Sequence, residues 1–295
     1  MKKDKVVFMM YYSIAIIIGF LFIFIGVKNY KTENQIAEEY EEKVVLSFDE
    51  IEEAKKAELN YLSLSEDPYA DDAKIIERAL VKWNFQSEDG KKIAYLTFDD
   101  GPSTKVTGEV LDVLDECNVK ATFFVLGSMV EKSDEGKAAL VRMVEEGHAI
   151  GNHGYCHKYD VLYPNSYVNV TAFMNDMDKS LESMKTVLGD NFTTRVIRFP
   201  GGHNSWRTKA IDKVLTEKDY AFIDWNIVNG DGHSATLTKE QMMNNLKKYV
   251  KKMDKNNDTI VVLMHDTDKN VHEAEYLKEA ITYLKDLGYE FRTLK

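Results

Sequence analysis

From Lys91 to the C-terminus, short apolar runs alternate with helical patterns, and most of the runs close on a small polar cluster. This alternation constrains the fold more than any other feature. A repeated strand–helix–strand order is satisfied by a parallel sheet covered with helices. Ile93–Phe98, Ala121–Leu126, His148–Gly151, Val196–Arg198, Tyr220–Val228 and Thr259–Met264 read as strands, and Tyr289–Leu294 as a last one. Helices are predicted over Val106–Cys117, in a segment ending at Gly147, and over Val168–Leu188, Trp206–Thr216, Lys239–Lys252 and Val271–Leu287. About seven units in roughly 200 residues predict an α/β fold closed, or nearly closed, into a (β/α) barrel.

In parallel α/β folds the site is built at the carboxyl ends of the strands. Asp99 and Asp100 follow the first strand, His153 and His157 the third, and Arg198 ends the fourth. Asp231 follows the fifth and His265 the sixth. All of them therefore land on one rim. Two carboxylates, two histidines four residues apart, an arginine and a further histidine can supply a mononuclear metal site with a base and an acid, the kit for metal-assisted hydrolysis. His148 reads as structural, and His203 and His233 as loop residues.

The net charge of −11, with no Lys/Arg-rich stripe, argues against a nucleic-acid partner. Two cysteines make no disulfide framework. A Cys117–Cys156 pair and two unpaired thiols both stay open, and Cys156, lying between the two histidines, is also a candidate soft-metal ligand.

The N-terminus carries a second signal. Val6–Val27 holds no charged residue and is long enough to cross a bilayer as one helix. Lys2, Lys3 and Lys5 precede it, which keeps the short tail cytoplasmic and puts the rest of the chain outside the cell. The absence of an Ala-x-Ala site favours an uncleaved anchor over a cleaved signal peptide. Ile36, Tyr40, Val44, Phe48, Ile51, Leu59 and Leu62 then follow at helical steps, until Pro68 breaks the pattern. A short helix is predicted over Asp71–Trp83. The chain thus divides into a tail and membrane anchor (1–28), a helical stalk (29–89) and a catalytic domain (90–295), a single-pass protein of the cell membrane. The heptads are too few and irregular to prefer a coiled coil.

The polar clusters also carry a resemblance. Thr97-Phe98-Asp99-Asp100-Gly101-Pro102-Ser103, His153-Gly154-Tyr155-Cys156-His157, Arg198-Phe199-Pro200-Gly201-Gly202, Asp231 and Leu263-Met264-His265-Asp266 occur in that order. The segment from about Lys91 onward resembles the polysaccharide deacetylases, the NodB-homology group of carbohydrate esterases. The resemblance implies a distorted barrel and a divalent metal, zinc by preference, held by Asp100, His153 and His157. It makes Asp99 the base for the attacking water, with Arg198 pairing and orienting it. Gly201 would offer its N–H to the oxyanion. His265, held charged by Asp231, would protonate the leaving amine, and Leu263 would line the pocket for the acetyl methyl.

The chain departs from the family pattern at three places. Gly154 stands where a Ser or Thr hydroxyl usually braces the metal loop. Gly201 and Gly202 replace an aromatic wall, and Gly232 replaces a tryptophan. Trp206, His203, Trp225 and His233 are candidates to fill the gaps. Taken together, these features imply a deacetylase of a cell-envelope glycan, with peptidoglycan N-acetylglucosamine as first choice. Another polysaccharide, an O-acetyl ester, or a catalytically silent glycan-binding role are the alternatives.

Overall fold

The structure is a computed structural model that describes residues 61–295 apart from 87–89, 235 and 254–257. The parallel strands are β2 (Lys92–Asp99), β3 (Thr122–Val125), β4 (Ala149–Asn152), β5 (Val196–Ile197), β6 (Ala221–Phe222), β7 (Ile227–Val228) and β8 (Thr259–His265), in the spatial order β6-β5-β4-β3-β2-β8-β7. A short strand, β9 (Tyr289–Phe291), pairs with Lys92–Ala94 of β2. Two end strands, β1 (Ala70–Asp71) and β10 (Thr293–Leu294), pair with each other. The flanking helices are α1 (Ala73–Lys82), α2 (Val106–Glu116), α3 (Gly127–Lys132), α4 (Asp134–Glu145), α5 (Tyr159–Leu162), α6 (Val170–Leu188), α7 (Lys209–Glu217), α8 (Lys239–Lys252) and α9 (Glu273–Asp286).

Both faces of the central strands are buried, as expected where helices cover one face and the strands curl around the other. Leu96, Phe98, Phe123, Ile260, Val262 and Met264 point outward and pack beneath Leu111, Leu114, Leu140, Leu277 and Ile281 of the helices. Tyr95, Phe124, Val196, Ala221, Ile223 and Val261 form a separate inner cluster. The long side chains of β2 and β8 thus fill two cores from alternate positions, following the period-two side-chain pattern.

The expected barrel needs correction, because among the described residues no hydrogen-bonded ladder closes the sheet. The predicted strand Tyr220–Val228 is split. Its first half, β6, pairs with β5, and its second half, β7, pairs with β8. Ile223 N–H still bonds Ile197 O (2.9 Å), and Asn226 N–H bonds Val261 O (3.2 Å) on the opposite edge. Asp224 and Trp225 cross the gap between the edges without a ladder. The fold is therefore a distorted half-barrel of about seven parallel strands.

The stalk also needs correction. Its described part belongs to the domain. Ile76 and Leu80 of α1 are buried in the inner cluster with Phe85 and Leu294. Tyr95 Oη donates to Asp71 Oδ2 (2.6 Å), and Phe222 N–H to Glu77 Oε2 (3.0 Å). The apolar stripe that reads as the face of a free helix instead covers the inner core, which would otherwise be open to water.

The membrane anchor, the membrane as a partner and the cell-membrane location also need correction. Among the described residues no helix is long and apolar enough to cross a membrane. Val6–Val27 and the helical pattern from Ile36 to Leu59 lie outside the described residues.

Candidate metal centre and active site

The end of β2 sets up the site. Asp99 is its last residue, and Asp100 turns the chain with φ +71. His157 is also left-handed (φ +51), and it closes the loop after β4 that carries His153. This region is sparsely populated for residues with a Cβ, so two ligand candidates adopt backbone conformations that local preference disfavours. The turns bring Asp100 Oδ1 to 3.5 Å from His153 Nε2 and 3.6 Å from His157 Nε2.

Asp100 Oδ1 and His153 Nε2 have lone pairs but no proton to share. His153 Nδ1 lies 2.8 Å from Arg198 O, so it carries the proton and leaves Nε2 as a bare acceptor. Burial lowers the His153 pKa, against the raising influence of Asp99 and Asp100, and so favours the neutral ring. Asp100 Oδ1 is buried and, among the described residues, has no hydrogen-bond partner. An orphaned carboxylate oxygen facing two imidazole nitrogens is a poor arrangement without a cation and a good one with it. Two ligands at zinc distance in a tetrahedral site stand about 3.4 Å apart, close to the separations seen here. Asp100, His153 and His157 therefore form a cluster that fits a divalent metal. Asp100 and His157 are partly exposed, which leaves one side open. Cys156 is outside this cluster, and both cysteines are free thiols.

Asp99 sits beside the cluster with its two oxygens in different surroundings. Oδ1 is held by Arg198 Nη1 at 2.7 Å, and Oδ2 points toward His153 Nε2 at 3.7 Å. Arg198 is fully buried, and its other donors go to Thr97 Oγ1 (2.8 Å), Ile223 O (2.7 Å) and Asp224 O (3.3 Å). Its guanidinium also lies over the Phe124 ring at 4.0 Å. Every tie on Arg198 fixes Asp99, so the free oxygen is presented rather than mobile.

Across the rim, His265 ends β8. Its Nδ1 bonds Asp231 Oδ1 (2.9 Å), and its backbone N–H bonds Asp231 Oδ2 (2.7 Å). Burial alone would lower the His265 pKa. The Asp231 hydrogen bond and charge, with Asp99 and Asp100 further off, outweigh it and raise it to about 9. The ring is thus a cation at neutral pH that can give up a proton. Leu263 lies two residues earlier on the same strand and is buried. Gly201 turns with φ +78, and among the described residues its N–H has no acceptor, whereas the Gly202 N–H is used on Phe199 O (2.7 Å).

The polysaccharide deacetylase family model matches residues 86–222. A CE4 esterase from Streptococcus mutans is 36% identical, with 77% of this chain and 92% of that one covered and a TM-score of 0.69. The chain belongs to the polysaccharide deacetylase family. The catalytic domain of a peptidoglycan N-acetylglucosamine deacetylase from Eubacterium rectale is 30% identical, over 71% of this chain and 91% of that one, with a TM-score of 0.60. A peptidoglycan-N-acetylglucosamine deacetylase of Bacillus cereus is 33% identical over 68% of this chain and 66% of its own length. As a family member the chain is a metal-dependent deacetylase of the hydrolase class, acting on amide bonds.

The three departures from the family pattern have local answers. At Gly154 (φ +82) an added Cβ would collide with Asp176 Oδ2. The Asp176 carboxylate, on α6, accepts from Tyr155 N–H (2.7 Å) and Cys156 N–H (3.2 Å), so it braces the metal loop in place of a hydroxyl. Sequence reasoning missed Asp176. The signal was a carboxylate three residues from Phe173, on the buried face of an amphipathic helix. At Gly201 a Cβ would meet Tyr159 Oη (3.1 Å) and Trp206 (3.3 Å), which supply the missing aromatic wall. Trp206 is fixed by Pro200 O (2.9 Å) and stacks on Tyr163 (4.1 Å). Trp225 fills the space beside Gly202. Gly232 lies against the His265 ring, where a Cβ would stand 2.5 Å from Cε1. His203 fills no gap, since it bonds Asp212 (2.8 Å) and stacks on Phe222 (3.9 Å), and His233 is exposed.

Proposed function

We propose that this protein removes the N-acetyl group from N-acetylglucosamine of peptidoglycan. The observation that carries the proposal is the orphaned Asp100 oxygen between His153 and His157, with the free oxygen of Asp99 on one side. Asp100, His153 and His157 would hold zinc, which when bound supplies Lewis acidity and an acidified water. Asp99 takes the proton of the attacking water while Arg198 holds its other oxygen in place. The Gly201 N–H faces the carbonyl oxygen as negative charge develops there. His265 passes its proton to the amide nitrogen as the C–N bond breaks, and acetate and a glucosamine amine leave. Leu263 packs against the acetyl methyl. Two relatives named as peptidoglycan N-acetylglucosamine deacetylases support this choice of glycan.

One relative is named an esterase, so ester substrates belong in the test. The full chain, stripped of metal and reloaded with zinc, is assayed for acetate release from N-acetylated peptidoglycan, chitin oligomers and O-acetylated xylan. The expected result is fastest release from peptidoglycan, abolished by Asp99→Asn. Release from the acetyl ester alone would replace the amide reading. Zinc binding with no release from any glycan would favour a silent binding protein.

A further inference from the structure

Behind the His265–Asp231 pair lies a second acid that the proposed chemistry does not use. Glu273, the first residue of α9, is fully buried, and its carboxyl lies beside the Asp231 carboxyl, the two lining one small space. Asn229 Nδ2 stands 3.1 and 3.2 Å from the two Glu273 oxygens. Asn229 Oδ1 accepts the Asp231 N–H (3.1 Å), and Asn245 Nδ2 donates to Asn229 O (2.8 Å). The cluster is thus held from three elements: the loop after β7, α8 and the start of α9.

The titratable groups facing Glu273 are Asp231 and Asp266, with Tyr276 one turn along its own helix. Among these there is no cation, and His265 reaches Glu273 only through Asp231. Two buried carboxyls that share one imidazolium cannot both be ionised at tolerable cost. One proton stays between them. Burial, then the Asp231 charge, pushes the Glu273 pKa well above the ordinary carboxylate range, so the proton belongs on Glu273.

We propose that Glu273 is a positioning residue of the active site: as a neutral acid it donates its O–H to Asp231 and so fixes the carboxylate that holds His265. Asp231 then has three donors, namely the His265 ring, the His265 backbone N–H and Glu273. An anion so held cannot rotate away from the imidazole, and its charge is shared between the ring and the acid.

The test reads His265 directly, so it does not depend on the deacetylase reading being right. The full zinc-loaded chain, labelled at histidine, is titrated by NMR alongside Glu273→Gln and Glu273→Leu. Glutamine keeps a neutral donor toward Asp231 and an acceptor toward Asn229, so the His265 pKa is expected to stay within about 0.3 unit of wild type. Leucine removes the donor and concentrates the Asp231 charge on the ring, so the pKa is expected to rise by about half a unit to one unit. A fall of about one unit in both variants would mean that Glu273 is an anion, and the proposal would be wrong. No change in either variant would leave Glu273 as packing only, which also overturns it.

Discussion

Replacing Asp231 by Asn keeps the side chain's size and removes its charge. His265 then loses the carboxylate that now raises its pKa from 6.5 to about 9, while the burial that lowers it remains. Asp99 and Asp100 also raise it, but less than Asp231 does, and neither bonds the ring. The pKa is therefore expected to fall to 6.5 or below. That change of about 2.5 units corresponds to about 3 kcal/mol of differential interaction. At about pH 8 the protonated fraction drops from about nine-tenths to about 3%, so kcat falls about 30-fold. At about pH 6 most of the ring stays protonated in both proteins, and the loss is less than about twofold. The assay is the pH profile of acetate release by the zinc-loaded full chain. Its alkaline limb should move from about 9 in wild type to 6.5 or lower. An equal loss at every pH, with the limb unmoved, would show that Asp231 shapes the site without setting the proton affinity of His265. Stability follows the same linkage. The raised pKa contributes stabilisation that is fully present below 6.5 and is lost as pH rises through about 9. In the variant that dependence should vanish from a series of urea melts.

The remaining predictions concern the supports of the site. Asp176→Ala removes the acceptor for Tyr155 and Cys156 and should weaken zinc binding about 10- to 100-fold by calorimetry, with the fold intact by circular dichroism. Arg198→Met leaves Asp99 buried without its partner and should lower unfolding free energy by about 3–5 kcal/mol in urea. Gly232→Ala puts a methyl against His265 and should cut kcat more than about tenfold without changing zinc affinity.

Much of this was legible in the sequence, because strand periodicity and polar clusters obey local rules. The run Thr259–Met264 could scarcely be anything but a buried strand, and helix α8 matches its predicted span of Lys239–Lys252. Placing the clusters at strand ends was enough to gather Asp100, His153 and His157. What stayed hidden depends on contacts distant in sequence. The break between β6 and β7 arises because two halves of one apolar run find different partner strands, which periodicity cannot show. Helix α1 reads as a free amphipathic helix until the inner core that it covers is seen. Asp176 and Glu273 look like ordinary helix carboxylates, and only packing against Gly154 and Asp231 gives them work.

On the proposed chemistry, deacetylation depends on one metal held by Asp100, His153 and His157. The most direct test titrates zinc into the metal-stripped full chain while following both calorimetric binding and acetate release from N-acetylated peptidoglycan. One site per chain is expected, with release rising in proportion to occupancy, and with both binding and release lost in Asp100→Asn. Full release from the stripped chain, or tight binding in Asp100→Asn equal to wild type, would contradict it.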